Sequence, residues 1–532
     1  MIHFNYQSQL KLMATFSNLL SKILNISLFL VAFMLFNLNL SAQPGSIEWE
    51  HNYGGSEGET ANDIQTTDDG GYIVAGQSDS ADGDVSENNG DDDYWIVKLD
   101  GSGNIEWEGN YGGSARERAY SVQQTDDGGY IVAGDSESDD VDVSGNNGEY
   151  DYWVIKLDST GNIEWEENYG GSDFDRAESI QQTSDGGYIV CGESNSDDGD
   201  VSDNNGEDDY WVLKLGSSGI IEWEENYGGS YTDNANSILQ TDDGGYIVSG
   251  YTNNSGSDLD YLVIKLDNSG GIEWDKNYGG SDNDGATSIQ ATNDGGYIVA
   301  GGSTSSDGDV SFNYGGADYW IVKLNSSGVI EWENSYGGNF RDEPQSIQQT
   351  TDGGYIIAGG SMSDDGNVSS NNGLEDYWVV KIDGSGNIEW EETYGGIAFD
   401  TPDSVKQTDD GGYIVAGNSL SADGDVGGNQ GTVDMWIVKI EGSGTMGTSN
   451  DVLDSDLKIY PNPTRKNITV ENIGSQEPQN AILRDISGRM ISQQEIDNPS
   501  SFQIKLEQET GIYIIELKYA NGNRTFQKVL KE

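Results

Sequence analysis

A single unit written seven times constrains this chain more than any bulk property. The tripeptide Ile-Glu-Trp recurs at Ile47, Ile105, Ile163, Ile221, Ile272, Ile330 and Ile388, with a step of 58 residues everywhere except the fourth unit, where it is 51. Around it each unit reads IEWE-x-NYGGS, a Ser-Ile/Val-x-Gln run, DGGYIVAG and DYWIVKL. A fixed period of this size is the mark of a solenoid, propeller or array, in which each unit buries its apolar face against its neighbours. All 13 tryptophans fall inside the repeats, so every unit carries the aromatic area needed for such burial.

Each unit holds four strand-like runs, a to d. In the first full unit they are expected at residues 62–66, 71–76, 93–99 and 104–111. Asp-Asp-Gly-Gly between a and b reads as a tight hairpin in which glycine supplies a positive φ, and Asp-Gly-Ser-Gly-Asn between c and d reads as another. By period-2 alternation Trp95, Val97 and Leu99 share one face of strand c, and Tyr94, Ile96 and Lys98 share the other. Both faces are largely apolar, as stacking on both sides requires. The lysine that recurs once per unit (Lys98, Lys156, Lys214, Lys265, Lys323, Lys381, Lys439) is expected to pair across the hairpin with the glutamate of the next IEWE, Lys98 with Glu106 for example.

The array begins with a lone strand d at Ile47–Tyr53 and ends with a lone strand c at Asp434–Ile440. The simplest reconciliation lets the first strand complete the last unit and hide its edge. The expected fold is therefore all-β: a seven-bladed β-propeller over 47–440, with the N-terminal strand closing the last four-stranded blade, followed by a small Ig-like β-sandwich. The a–b–c–d pattern with its DGG hairpin resembles WD40-like and related bacterial secreted propeller repeats. The WD40 Gly-His and Trp-Asp signatures are absent, so this resemblance concerns architecture and implies no activity.

Charge narrows the partners. Residues 44–440 hold 80 of the 93 acids and 13 of the 25 bases, whereas the stretch from Glu441 onward holds 13 acids and 10 bases. So acidic a body repels nucleic acid and anionic lipid and attracts metal cations, basic partners or water and salt. The one cysteine, Cys191, excludes an intrachain disulfide and reads as a small buried apolar residue. His3 and His51 are the only histidines, which leaves no His-based triad and no ordinary zinc site.

Residues 1–42 read as a secretory signal, with Lys11 and Lys22 before an apolar run from Ile23 to Leu40 and Ser41-Ala42-Gln43 as the cleavage region. A retained anchor is the alternative, weakened by Asn37 and Asn39. After signal removal no transmembrane segment is expected. Residues 441–455 lose the repeat and read as a linker. From 456 short alternating runs return. LKIYPNPT (Leu457–Thr464), RDISGRMI (Arg484–Ile491), GIYIIELKYANGN (Gly511–Asn523) and the closing FQKVLKE resemble the type IX secretion system type A C-terminal sorting domain. The resemblance covers 456–532. It implies Sec export, passage across the outer membrane by the type IX machinery and a cell-surface or extracellular destination, with processing near the linker.

Function is expected on the face where the long b–c loop and the d–a loop emerge, since loops on a rigid scaffold carry it. The b–c loop repeats a frame with oxygen-bearing residues at positions 1, 3, 5, 7 and 12. The candidate ligands are Asp82, Asp84, Ser86 and Asp93; Asp140, Asp142, Ser144 and Asp151; Asp198, Asp200, Ser202 and Asp209; and Asp307, Asp309, Ser311 and Asp318. The frame returns over 365–376, with Asn367 at position 3, and over 423–434, with Gly427 at position 5; the fourth unit lacks it. Hard cations such as calcium take several oxygens at such spacings. Position 6 is not the expected glycine in four copies, and position 12 is Asp where an EF-hand has Glu. A solvated Asp/Asn/Gly turn cluster is the other reading. Three functions stay open: a non-catalytic module binding glycan or protein, a carboxylate-based glycoside hydrolase, and a structural acidic surface protein. The symmetry-breaking places singled out are the short fourth loop, Arg116 and Arg118, Arg341, and the aromatics Tyr231, Tyr251 and Phe340.

Overall fold

Strand c explains why the units stack. In the computed structural model of the protein, Trp95, Val97 and Leu99 join one apolar cluster and Tyr94 and Ile96 join the next, so one strand serves two interfaces. The structure describes residues 45–442, apart from 203, 254, 255 and 257, and residues 457–531, apart from 461–465, 473–477, 485–489, 497–500, 507–510 and 520–523. The signal segment and nearly all of the linker lie outside the described residues, as do PNPT, the middle of RDISGRMI and the ANGN that ends the third motif.

Every element of the described residues is a β-strand, and the chain divides into two compact units, Met1–Gly444 and Thr445–Glu532. The first unit contains seven four-stranded antiparallel sheets that resemble propeller blades. In sheet 1 strands a to d are Glu59–Thr66, Tyr72–Ser78, Asp93–Leu99 and Ile105–Tyr111. Strand a starts three residues before the sequence suggested, because Glu59 is a fully buried acid that reads like loop. The hairpin between a and b turns on Gly70, whose φ is +84°. Sheet 7 takes Asp400–Gln407, Tyr413–Ser419 and Asp434–Ile440 and is completed by Ile47–Tyr53, which pairs antiparallel with Asp434–Ile440.

Consecutive sheets share apolar clusters, and one cluster joins Ile414, Ala416 and Ile437 of sheet 7 to Ile64, Val74 and Trp95 of sheet 1. Tyrosine hydroxyls bolt the sheets: Tyr94 donates to the Trp153 carbonyl of sheet 2 at 2.9 Å with ring centroids 4.6 Å apart, and Tyr152 repeats this with Trp211. Burying a tyrosine this way retains its apolar area and satisfies its hydroxyl. The Lys98–Glu106 pair forms at 2.9 Å, and Asp69 of the a–b turn adds a second partner at 2.9 Å. The same two-acid grip holds Lys156, Lys214, Lys265, Lys323, Lys381 and Lys439.

Strand a carries an irregularity that the sequence did not reveal. In all seven sheets the a–b register slips by one residue, as between Ala119 and Ser121, so that the fourth residue of strand a has no cross-strand partner. Beside each slip strand b has a glycine; a Cβ on Gly134 would lie 1.8 Å from the Arg118 carbonyl. The missing side chain is what lets the bulged strand approach.

The C-terminal unit has two antiparallel sheets. Leu457–Tyr460, Asn467–Asn472 and Ser501–Lys505 form one; Met490–Glu495, Pro478–Arg484, Gly511–Tyr519 and Arg524–Lys531 form the other. They share one apolar cluster that includes Ile468, Val470, Leu483, Ile515 and Val529. Met490–Glu495 was not anticipated, since MISQQE offers almost no apolar alternation.

Candidate functional site

The loop frames come first. Positions 1 and 3 are spent on the backbone of the d–a loop. The carboxylates of Asp82, Asp140, Asp198 and Asp307 accept the N–H of Ser56, Ser114, Ser172 and Ser281 at 2.7–2.8 Å. Those of Asp84, Asp142, Asp200 and Asp309 accept the N–H of Gly54, Gly112, Gly170 and Gly279 at 3.2–3.4 Å. At position 5 the Ser144 and Ser202 hydroxyls donate to Glu166 and Glu224 at 2.6 and 2.5 Å, the Ser311 N–H reaches Glu333 at 3.5 Å, and Ser86 is exposed.

Position 12 behaves differently. Asp93, Asp151, Asp209 and Asp318 are wholly buried, and each accepts one backbone N–H, from Asn89, Asn147, Asn205 and Tyr314, on Oδ2. Their Oδ1 atoms have no hydrogen-bond partner. They point away from their own loop, toward the first residue of strand a in the next sheet: Asp93 toward Glu117, Asp151 toward Asp175. The structure thus brings position 12 of one loop together with position 3 of the next, and it separates position 12 from positions 1 and 3 of its own loop. Among the described residues no group of three or more His, Cys, Asp or Glu converges closely enough to form a metal centre as placed.

The second feature is a cavity of about 650 Å³ lined by strand a of all seven sheets. Its wall is ordered by side-chain-to-backbone hydrogen bonds that step from sheet to sheet. Ser121 Oγ accepts the Ile180 N–H at 3.2 Å, and Gln123 Oε1 accepts the Gln182 N–H at 2.6 Å. In sheet 1 Asp63 takes the serine's place, accepting the Val122 N–H of sheet 2 at 3.2 Å, while toward sheet 7 it accepts the Ser404 hydroxyl at 2.8 Å and pairs with Lys406 at 3.5 Å.

The bulged residues line this cavity, and they break the repeat: Asn62, Tyr120, Glu178, Asn236, Thr287, Gln345 and Asp403. A bulge re-aims its side chain without altering the strands around it, so these positions can vary while the frame repeats. The second residue of strand a varies too, and one arc gathers charge and aromatic area. Arg176 pairs with Glu178 at 2.7 Å and with Glu193 at 2.8 Å, and its guanidinium lies 5.6 Å from the ring centroids of both Tyr120 and Phe174. Asn234 donates to Glu193. Burial pushes Glu193 up to about 7 despite Arg176, and pushes the enclosed Asp135 up to about 7 despite Arg118 and Arg176. Across the cavity, burial followed by repulsion from Glu375 pushes Asp403 up to about 8.

Of the asymmetric residues named from sequence, Arg116 and Arg118 approach Asp92 at 3.9 and 3.8 Å, and Arg341 pairs with Glu343 and, at 3.7 Å, with Glu375. Tyr231 and Phe340 are exposed, and Tyr251 is half-buried. Arg176, Glu178 and Tyr120 were missed. Their signal was present as departure from the repeat at two positions of strand a, but it means nothing until the bulge shows where those positions face.

No curated protein matches the chain. Among solved structures it is similar to an extracellular domain assigned to a hybrid two component system of B. thetaiotaomicron (12% identity, TM-score 0.37), covering 92% of this chain and 60% of that one. It is similar to a fungal alcohol oxidase of the AA5 family, determined in complex with copper (13%, TM-score 0.39, 92% and 100% covered). It is similar also to the WD40 domain of Pan2 from Neurospora crassa (11%, TM-score 0.36, 71% and 88% covered). No helix of the described residues is long and apolar enough to cross a membrane. Residues 458–532 match the family described as Secretion system C-terminal sorting domain. The C-terminal unit is thus a type IX secretion sorting domain, which engages the secretion machinery and directs the chain to the cell surface or the extracellular space.

Proposed function

We propose that residues 47–440 form a closed seven-bladed β-propeller that acts as a non-catalytic binding module, delivered by an Ig-like sorting domain over 456–532. Residues 1–42 serve as its signal and 441–455 as its linker. The ligand enters the strand-lined cavity from the d–a loop side and meets Tyr120 and the amides of Asn62 and Asn236, with Arg176 and Phe174 beside Tyr120 at that rim. One observation carries this reading: the bulged fourth residue of strand a differs from sheet to sheet while its neighbours repeat, and all seven bulged residues line the cavity. Aromatic faces beside a guanidinium and amides suit a glycan, whose rings stack and whose hydroxyls bond. Two acids of this arc, Glu178 and Glu193, are engaged through Arg176, and the third, Asp135, is fully buried, which favours a binder over a carboxylate hydrolase that needs a free acid in reach of its substrate.

The test is glycan-array binding by the exported protein and by its Tyr120→Ala and Arg176→Ala variants. Retained folding with at least a ~10-fold loss of signal supports the site. Unchanged binding by both variants moves the ligand to the outer loops, and no binding by the wild-type protein removes the glycan.

A further inference from the structure

Seven times in this molecule two acids face each other where one sheet meets the next, and in six of the seven both are buried. The first residue of strand c in one sheet and the first residue of strand a in the following sheet flank the first glycine of the YGGS loop. Around Gly112, the Asp93 Oδ1 and Glu117 Oε2 atoms lie 2.4 and 2.5 Å from the position a Cβ would take. Around Gly170 the corresponding distances to Asp151 Oδ1 and Asp175 Oδ2 are 2.5 and 2.6 Å, and around Gly395 those to Asp376 Oδ1 and Asp400 Oδ2 are 2.4 and 2.7 Å. All six acids are fully buried.

The two members of each pair are treated unequally. Glu117 receives the Gly113 N–H, the Ser136 hydroxyl and the Ser138 N–H, and is well solvated by protein. Asp93 receives one N–H, and its Oδ1 receives nothing. The same orphaned oxygen recurs in Asp151 and Asp376. The charges nearest to these aspartates are acidic without exception: Glu117, Asp142 and Asp92 for Asp93, Asp175 and Asp200 for Asp151, and Asp400 and Asp425 for Asp376. Two buried carboxylates with a third beside them and no cationic side chain demand a positive partner, since an isolated buried charge costs several kcal/mol.

We propose that three sheet junctions, Asp93/Glu117/Asp142, Asp151/Asp175/Asp200 and Asp376/Asp400/Asp425, each bind one divalent cation of the calcium class. The two buried oxygens form the clamp. The third carboxylate, held to Gly112, Gly170 or Gly395 by long hydrogen bonds of 3.3–3.4 Å, turns to complete it. Hard oxygen ligands in this number suit calcium, with water and backbone carbonyls filling the remaining positions. The ligands come from two sheets, so the cation ties neighbouring sheets together. The other four junctions differ: Asn367 replaces the third acid beside Asp318, the short fourth loop supplies none beside Asp209, and Asp434 has both oxygens satisfied by Gln430 and Gly431 N–H groups. Asp260, which faces Asp284 and Asp309, is only partly buried beside that short loop and can keep water as its partner.

The experiment uses the full exported protein stripped with EDTA and dialysed against calcium chloride, with bound calcium counted by elemental analysis and Tm followed in parallel. Three calcium ions per chain and a Tm raised by several degrees are expected. Asp151→Asn should lower the count by one, whereas Asp209→Asn should leave it unchanged. Asp200→Asn, a milder change at a half-buried loop residue, should also remove one ion and covers the case in which Asp151→Asn does not fold. No bound calcium overturns the proposal, as does an equal loss from Asp209→Asn and Asp151→Asn. So does a Tm that rises equally on acidification in EDTA while no calcium binds, since protons would then neutralise the pairs. Glycan binding plays no part in these readouts, so failure here and failure of the binding function are separable.

Discussion

Burying Lys98 at 2% exposure works because Asp69, Glu106 and the Leu99 carbonyl all meet its ammonium. Half of that arrangement was legible in the sequence, since Glu106 sits across a short hairpin; Asp69 comes from the other hairpin and needed the fold. Asp403 is the opposite case, an acid without a cation to answer it. At the same bulged position Asn62 and Asn236 donate to the Ala119 and Ala286 carbonyls of the following sheets, whereas an ionised Asp403 has nothing to donate. Its carboxyl, which accepts the Asn418 amide at 3.3 Å and lies near Glu375 and Tyr377, stays protonated up to about pH 8 in the folded chain and ionises near 4 in the unfolded one. Stability from this residue is therefore complete below about pH 4 and lost as pH rises toward about 8. Asp403→Asn should stabilise the protein by ~1–2 kcal/mol at pH 7 and flatten the pH dependence of Tm between about 4 and 8. Thermal melts across that range check it, and an unchanged slope would refute it.

The element that decides the interior is the bulged strand a with its glycine-bearing partner. Gly134 and Gly128 belong to the same strand pair and answer to different physics. At Gly134 a Cβ meets backbone, 1.8 Å from the Arg118 carbonyl, so Gly134→Ala must push two strands apart and should cost ~3 kcal/mol or more. At Gly128 the surroundings are open and only the φ of +84° resists, so Gly128→Ala should cost ~1 kcal/mol. Urea midpoints of the two variants give the comparison, and equal losses would mean that the bulge does not depend on this approach. The glycines of strand b were visible as a repeat within the chain. That they license a bulge, which turns Tyr120 and Glu178 inward, was not visible, because a register slip involves two strands and leaves no trace in either alone.

At the scale of the whole molecule, the strand Ile47–Tyr53 joins the two ends of the array. Removing residues 45–53 would expose the edge of Asp434–Ile440 and strip Tyr53 from the sheet 7–sheet 1 cluster. The truncated protein should melt at least several degrees lower and self-associate, which size exclusion and thermal melts would register. A monomer of unchanged Tm would show that this strand contributes nothing to the closure. The acidity of the repeats is tolerable on the same scale, because most acids are spent locally on N–H groups of turns and loops, as Asp82 is on Ser56.

The sequence by itself determined the unit, its strands, the two-sided burial of strand c, the lysine–glutamate pairs and the sorting domain at 458–532, since each rests on local alternation, on turn chemistry or on a contiguous motif. Tertiary structure alone decided which carboxylates meet. Positions 3 and 12 of one loop are close in sequence and part company, whereas Asp93 and Asp142 come from successive loops and are brought to one junction. It also decided where the repeat's variation faces, because the bulged residues converge on one cavity only when all seven sheets stand together. Period and composition encode what a strand buries; proximity between different strands is a property of the assembled chain.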